Sequence, residues 1–176
     1  MSGTVPFKKT STPSFRAPTP EDGSAIWDLV RSCPPLDENS MYANLIQCDH
    51  FRDTCVVAEL DGEIIGWVSG HLVPTDPSTI FVWQVAVSEK ARGLGLGGKM
   101  LSHLLERDIC TDVEQMQTTI TSDNKASWAL FRKFGMRRDA TVESEPYFTE
   151  DDHFDGHHST ENMVTIDFRG REAKAA

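Results

Sequence analysis

A chain of 176 residues is long enough to bury about 70% of the surface its unfolded form would expose, so it needs no metal or disulfide staple. A formal charge of −10 speaks against nucleic acid as a partner, because nucleic-acid binders carry basic patches; it favours a cationic ligand and also serves solubility. Cys33, Cys48, Cys55 and Cys110 show no C-x-x-C spacing and no apolar run approaches membrane-spanning length, so the expectation is a soluble cytoplasmic protein with reduced thiols and no membrane partner. Residues 1–13 and 169–176 are polar and read as flexible segments flanking a single domain at 14–168. Lys8-Lys9 and Arg137-Arg138 read as solvated charges.

The first element is a short strand at 14–17. Thr19-Pro20-Glu21-Asp22 then starts a helix, with a hydroxyl cap, a proline suited to the first position and acids at the positive end of the dipole. Ile26, Leu29 and Val30 carry it to Pro34-Pro35, which stop it. The polar link Leu36-Asp37-Glu38-Asn39 leads to a second helix capped by Ser40 and bearing Met41, Leu45 and Ile46. Beyond Thr54 the residues turn β-branched, and Asp61-Gly62 between 55–60 and 63–73 marks a tight hairpin. In 79–87, Ile80, Val82 and Ala86 alternate with Phe81, Trp83, Val85 and Val87; apolar on both faces, this strand belongs in the middle of a sheet.

Arg92-Gly93-Leu94-Gly95-Leu96-Gly97-Gly98 follows, then a helix at 99–107, with Leu96, Met100, Leu101, Leu104 and Leu105 marking one face. Strand, glycine-rich turn and helix in that order gather bare N–H groups at a helix N-terminus, where a phosphate docks. Gly93-x4-Gly98-Lys99 is like a P-loop, but Met100 stands where that loop needs a hydroxyl for Mg²⁺. Gly93-x-Gly95-x-x-Gly98 satisfies the dinucleotide fingerprint, with Asp112 and Glu114 near the distance of a ribose-binding acid. A dinucleotide loop, however, leaves its strand at once and belongs to the first βαβ unit, whereas a charged link at 88–92 intervenes here. A strand at 117–121, a helix at 124–134 ended by Gly135, a strand at 136–148 kinked near Pro146 and a last strand marked by Val164, Ile166 and Phe168 complete the chain. The order βααβββαβαββ predicts an α/β (α+β) fold, a mixed central β-sheet of about seven strands with helices on both faces.

A third loop type fits best. Arg92-x-x-Gly95-x-Gly97 after a strand, with Asn124-Lys125-Ala126-Ser127-Trp128-Ala129-Leu130-Phe131-Arg132-Lys133-Phe134-Gly135-Met136 later in the chain, resembles the GNAT superfamily of N-acetyltransferases. The resemblance implies the GNAT fold and acetyl-CoA as co-substrate. Its pyrophosphate would lie on Arg92, Gly93, Gly95, Leu96, Gly97 and Gly98, its pantetheine arm along Val85 and Val87, and further contacts would come from Asn124, Ser127 and Phe131. Dimerisation, common in the superfamily, makes a homodimer the expected assembly.

Four further segments narrow the resemblance: Pro35-Leu36-Asp37-Glu38-Asn39-Ser40-Met41-Tyr42, the run from Phe51 through Glu59, Trp83-Gln84-Val85-Ala86-Val87 and His158-Ser159-Thr160-Glu161. They look like the L-2,4-diaminobutyrate acetyltransferases of ectoine biosynthesis, over about residues 15–168. That family transfers acetyl from acetyl-CoA to the side-chain amine, giving Nγ-acetyl-L-2,4-diaminobutyrate. The residues suit a substrate with two ammonium groups and one carboxylate. Asp37 and Glu161 pair with ammonium, Trp83 offers a π face, and Tyr42, Gln84 and His158 complete the set. Glu161 and His158 are candidate bases, and a backbone N–H near Val85 would hold the oxyanion. Phe131 stands where many members of the superfamily place a proton-donating tyrosine, which leaves Tyr42 or water to protonate the thiolate.

Each of these residues has a plainer reading: Asp37 as helix entry, Glu161 as a solvated strand start, Trp83 as core. The loop at 150–158, rich in Asp and His, reads as a substrate cover with no metal expected, since thiol ligands are absent and the chemistry needs none. The competing functions are acetylation of another small amine or a protein N-terminus, a nucleotide-binding module, and a non-catalytic acyl-CoA-binding regulator.

Overall fold

The computed structural model describes residues 11–171. The flexible ends expected at 1–13 and 169–176 fall largely outside that range, as do Lys8-Lys9. Seven strands, β1 (Ser14–Arg16), β2 (Val56–Leu60), β3 (Glu63–Val73), β4 (Asp76–Val87), β5 (Gln115–Thr121), β6 (Thr141–Phe148) and β7 (Glu161–Asp167), form one sheet in the order β1-β2-β3-β4-β5-β7-β6. β4 and β5 are parallel and the flanking ladders β1/β2, β2/β3, β5/β7 and β6/β7 are antiparallel, so the sheet is mixed as expected. The helices are α1 (Gly23–Arg31), α2 (Met41–His50), α3 (Leu96–Leu105) and α4 (Lys125–Arg137). Two compact units divide the described residues, one of 11–69 and 84–107, the other of 70–83 and 108–171.

In the first unit the β2/β3 hairpin turns at Asp61 (φ 51°) and Gly62 (φ 79°), the paired positive φ that the Asp-Gly dipeptide forecasts. Val57 sits opposite Trp67 and Ala58 opposite Gly66. Successive residues face opposite sides of the pleat. Trp67, fully buried, joins Ile26, Leu29 and Val30 of α1, Cys48 of α2, Val57 and Ala86. On the other face, a Cβ at Gly66 would lie 2.9 Å from the Met100 sulfur of α3. Helices therefore cover both faces of this part of the sheet, and the missing side chain at Gly66 leaves room for the end of Met100.

The start of α1 differs in detail from its expectation. Pro20–Asp22 forms a single 3₁₀ turn before the α-helix proper. Asp22 accepts from the Thr19 amide (2.7 Å) and from both terminal nitrogens of Arg16 (2.7 and 2.9 Å), while Arg16 also binds Glu59 at 2.9 Å. The Arg16 guanidinium holds the Asp22 carboxyl below the usual range, against the opposing effect of burial. Because the folded value is the depressed one, this contribution is present above the unfolded pKa and lost as pH falls through the folded one. Asp22→Asn should cost about 1–3 kcal/mol near neutral pH. In urea titrations the gap from the parent chain should close as pH drops below the ordinary aspartate range; a gap independent of pH would refute the assignment.

α2 begins at Ser40, whose Oγ accepts from the Ala43 amide at 3.1 Å. Beside Cys48, its buried side chains are polar. Met41 is 37% exposed, whereas Asn44 and Gln47 are buried and bonded to each other, Nδ2 to Oε1, at 3.1 Å.

In the second unit Thr79, Ile80 and Phe81 register with Gln115, Met116 and Gln117, and β5 pairs with β7 along its whole length. α4 does not stop at Gly135; it runs two residues further, to Arg137. Gly135 serves close approach instead, since a Cβ there would meet Val142 of β6 at 2.4 Å. The left-handed residue that reverses the chain is Asp139 (φ 51°), so β6 starts at Thr141 rather than 136. The kink expected near Pro146 is present as a register shift between Pro146 and Phe148.

Candidate active site

The first unit carries the glycine turn. Gly93 (φ 81°) and Gly95 (φ 67°) adopt left-handed backbone that side chains resist, and Gly95 is the N-cap of α3. Lys99 N–H donates to Gly95 O at 3.2 Å, closing the first helical bond. The amides of Leu96, Gly97 and Gly98 precede it and have no intrahelical carbonyl to meet. A Cβ at Gly93, Gly95 or Gly98 would find no heavy atom within 4 Å. Bare backbone, positive helix end and open space thus coincide, which is the physical requirement for holding a diphosphate. Arg92, exposed, precedes the turn, and Leu96 and Gly97 are buried beneath it.

Upstream of the turn, β4 ends with Val85 and Val87 half-buried and Gln84 buried. Asp37 lies exposed on the link between α1 and α2, and Tyr42, 71% exposed, stands in the first turn of α2.

The second unit holds the remaining candidates. Trp83 on β4 is 54% exposed, which removes its reading as plain core. Glu161 opens β7, registered with Thr121 of β5 and Phe148 of β6, and its Oε2 is buried. His158 packs at a tilt against Phe154 (centroids 4.7 Å apart, planes at 43°) and places Nδ1 2.7 Å from the Ser159 carbonyl. A carbonyl only accepts, so Nδ1 carries the hydrogen and Nε2 holds the lone pair of the neutral ring. Asn124 caps α4, its Oδ1 accepting from Ser127 N–H at 3.1 Å. Phe131 is buried and has no hydroxyl to offer.

The loop before β7 is built by its own polar groups. His153 Nδ1 accepts from the Thr149 amide at 3.0 Å, Thr149 Oγ1 donates to Asp152 at 3.0 Å, and Glu150 N–H donates to Thr160 Oγ1 at 3.0 Å. Among the described residues no three His, Cys, Asp or Glu side chains converge to hold a metal. All four cysteines are buried and outside any disulfide. Burial, with Cys55 nearby, pushes the Cys48 thiol up to about 12, so it stays protonated at neutral pH and is a poor nucleophile. No described helix is long and apolar enough to cross a membrane.

This fold agrees with what is found among known proteins. Residues 24–136 match the acetyltransferase (GNAT) family model. The chain belongs to the GNAT acetyltransferase family. Over 160 residues this acetyltransferase is 46% identical to the L-2,4-diaminobutyric acid acetyltransferase of Methylotuvimicrobium alcaliphilum, covering 90% of this chain and 93% of that one. It is 48% identical over 158 residues to the protein of the same name from Halomonas elongata, covering 89% and 82%. Among solved structures it resembles diaminobutyrate acetyltransferase EctA from Paenibacillus lautus, at a TM-score of 0.85 and 33% identity over 89% of this chain and 95% of that chain. That protein was solved in complex with its substrate L-2,4-diaminobutyric acid and coenzyme A. The resemblance drawn from residues 35–42, 51–59, 83–87 and 158–161 is thereby borne out.

Asn39 and Trp27 were not legible as residues bonded around the candidate Gln84. Trp27 Nε1 donates to Asn39 O at 3.0 Å, and Asn39 Nδ2 donates to Gln84 Oε1 at 3.0 Å. The signal available was an indole at a helix position and an amide in a polar link, both of which have many plain uses.

Proposed function

We propose that this acetyltransferase moves the acetyl group of acetyl-CoA to the side-chain amine of L-2,4-diaminobutyrate, releasing Nγ-acetyl-L-2,4-diaminobutyrate and CoA. The observation that carries the reading is the 46–48% identity with enzymes of that name along nearly the whole chain; Asp37, Trp83 and Glu161 lie in the segments that carry the resemblance in the sequence. The amides of Leu96, Gly97 and Gly98 take the pyrophosphate, with Arg92, Gly93 and Gly95 shaping the turn. The backbone of Val85 and Val87, beyond the stretch of β4 registered with β5, pairs with the pantetheine arm. Asn124, Ser127 and Phe131 serve the coenzyme from α4.

The amine arrives protonated. If its pKa is near the lysine reference of about 10.4, losing that proton at pH 7 costs about 4–5 kcal/mol. Glu161, or His158 through the lone pair on Nε2, accepts it, directly or through a water. Asp37 and Trp83 hold the ammonium character of the substrate, with Tyr42 completing its surroundings and Gln84, the remaining residue of the set, bonded to the link that carries Asp37. The neutral nitrogen attacks the thioester carbonyl, whose oxygen gathers charge against the Val85 N–H. The C–S bond then breaks, and Tyr42 or water protonates the thiolate, since Phe131 has no proton to give.

Residues 14–168 act as one domain in this reading, supported by β3 and β4 each running through both units. A cytoplasmic setting fits four cysteines outside any disulfide. A homodimer is supported by the edge strand β6, which leaves Tyr147 and Phe148 exposed. The test of the activity is a thiol-release assay with acetyl-CoA against L-2,4-diaminobutyrate, L-ornithine, L-lysine and a peptide, the product located by NMR. Diaminobutyrate should lead in kcat/KM by at least tenfold, with acetyl on the γ nitrogen. Equal rates on the peptide, or acetyl on the α nitrogen, would refute it.

A further inference from the structure

Gln84 is 6% exposed and stands in β4 between Trp83 and Val85. Both ends of its amide face the link between α1 and α2. Nε2 donates to Asp37 O at 2.6 Å, and Oε1 accepts from Asn39 Nδ2 at 3.0 Å. From the other side Trp27 of α1 donates Nε1–H to Asn39 O at 3.0 Å. Residues 37–40 have no regular secondary structure of their own. Two hydrogen bonds from separate elements, to Asp37 O and Asn39 O, therefore hold the backbone on either side of Glu38, a third holds the Asn39 side chain against Gln84, and the bond to Asp37 O sets the origin of the Asp37 side chain.

We propose that Gln84 and Trp27 are positioning residues that set the specificity of the amine site. They hold Asp37 where it meets a short diamino acid, and they tie it to the strand that carries Trp83 and Val85. A carboxylate on an untethered link would sample many positions, and ordering it at the moment of binding would weaken the substrate complex. The inference rests on the reading that Asp37 pairs with the substrate ammonium. It differs from a direct contact between Gln84 and the substrate, because Trp27 touches the link at another atom and should matter for the same reason.

Steady-state kinetics of Gln84→Met, Trp27→Phe and Asp37→Asn, with hydrogen exchange of the link amides in the full chain, separate these cases. Gln84→Met keeps the side-chain bulk and removes both hydrogen bonds; Trp27→Phe removes one. Each should raise KM for diaminobutyrate at least fivefold while KM for acetyl-CoA stays within twofold, and amides 38–41 should exchange at least tenfold faster. In an Asp37→Asn background Gln84→Met should add less than twofold, since its effect runs through the missing carboxylate. A KM increase in Gln84→Met with parental kinetics and exchange in Trp27→Phe would overturn the proposal in favour of direct contact. Parental KM in both would overturn it outright. If the reading of Asp37 is what fails, Asp37→Asn itself retains the parental KM, a distinct result that removes the proposal with it.

Discussion

Gly98→Glu abolishes acetyl-CoA binding and leaves the ligand-free fold at least as stable as before: that is the expected result. Gly98 is the third residue of α3, counted from the N-cap Gly95, and no heavy atom lies within 4 Å of where its Cβ would be. Replacing a helical glycine gains about 0.5–1 kcal/mol. A carboxylate in the first turn adds about 0.3–1 kcal/mol by meeting the positive helix end. The same carboxylate occupies the amides that the pyrophosphate needs and repels its charge. Calorimetry should show affinity falling at least a hundredfold, about 2.7 kcal/mol, while the melting temperature holds or rises. Gly97 is the poorer position for this test, because it is buried and a glutamate there would disturb the fold as well. Unchanged binding in Gly98→Glu would dismiss the turn as the coenzyme site.

The second large effect belongs to Glu161. Glu161→Gln keeps the size of the side chain, and the residue is held in β7 by its register with Thr121 and Phe148, so the strand should survive. General-base catalysis contributes about 10²–10⁴-fold, and His158 offers a second proton acceptor. The loss in kcat should therefore be at least tenfold and reach the full range if Glu161 acts alone. A fall confined to KM would make Glu161 a binding group only. Parental values of both would remove it from the site.

Much of this was legible because local chemistry dictated it. Asp61-Gly62 fixed a turn, Ser40 and Asn124 announced helix starts, and the alternation of residues 79–87 placed β4 at the centre of the sheet. The glycine turn was readable for the same reason: Gly93 and Gly95 have the positive φ for which glycine is suited. What failed depended on partners distant in sequence. Gly135 has the composition of a helix stop, yet its role is set by Val142 across the α4–β6 approach. Asn44 and Gln47 are polar by type and buried as a bonded pair. Asp22 was read as a charge at a helix start, and its partner Arg16, which also binds Glu59 of β2, comes from β1. Gln84 is the sharpest case: its neighbours in the chain suggested contact with substrate, while its amide engages a link some 45 residues upstream, at Asn39.

The most direct measurement is a crystal structure of the chain with acetyl-CoA and L-2,4-diaminobutyrate bound. Pyrophosphate oxygens should lie about 3 Å from the N–H groups of Leu96, Gly97 and Gly98, with the γ nitrogen of the amino acid facing the thioester carbonyl. A coenzyme lodged away from that turn, or an amino acid presenting its α nitrogen instead, would contradict the account.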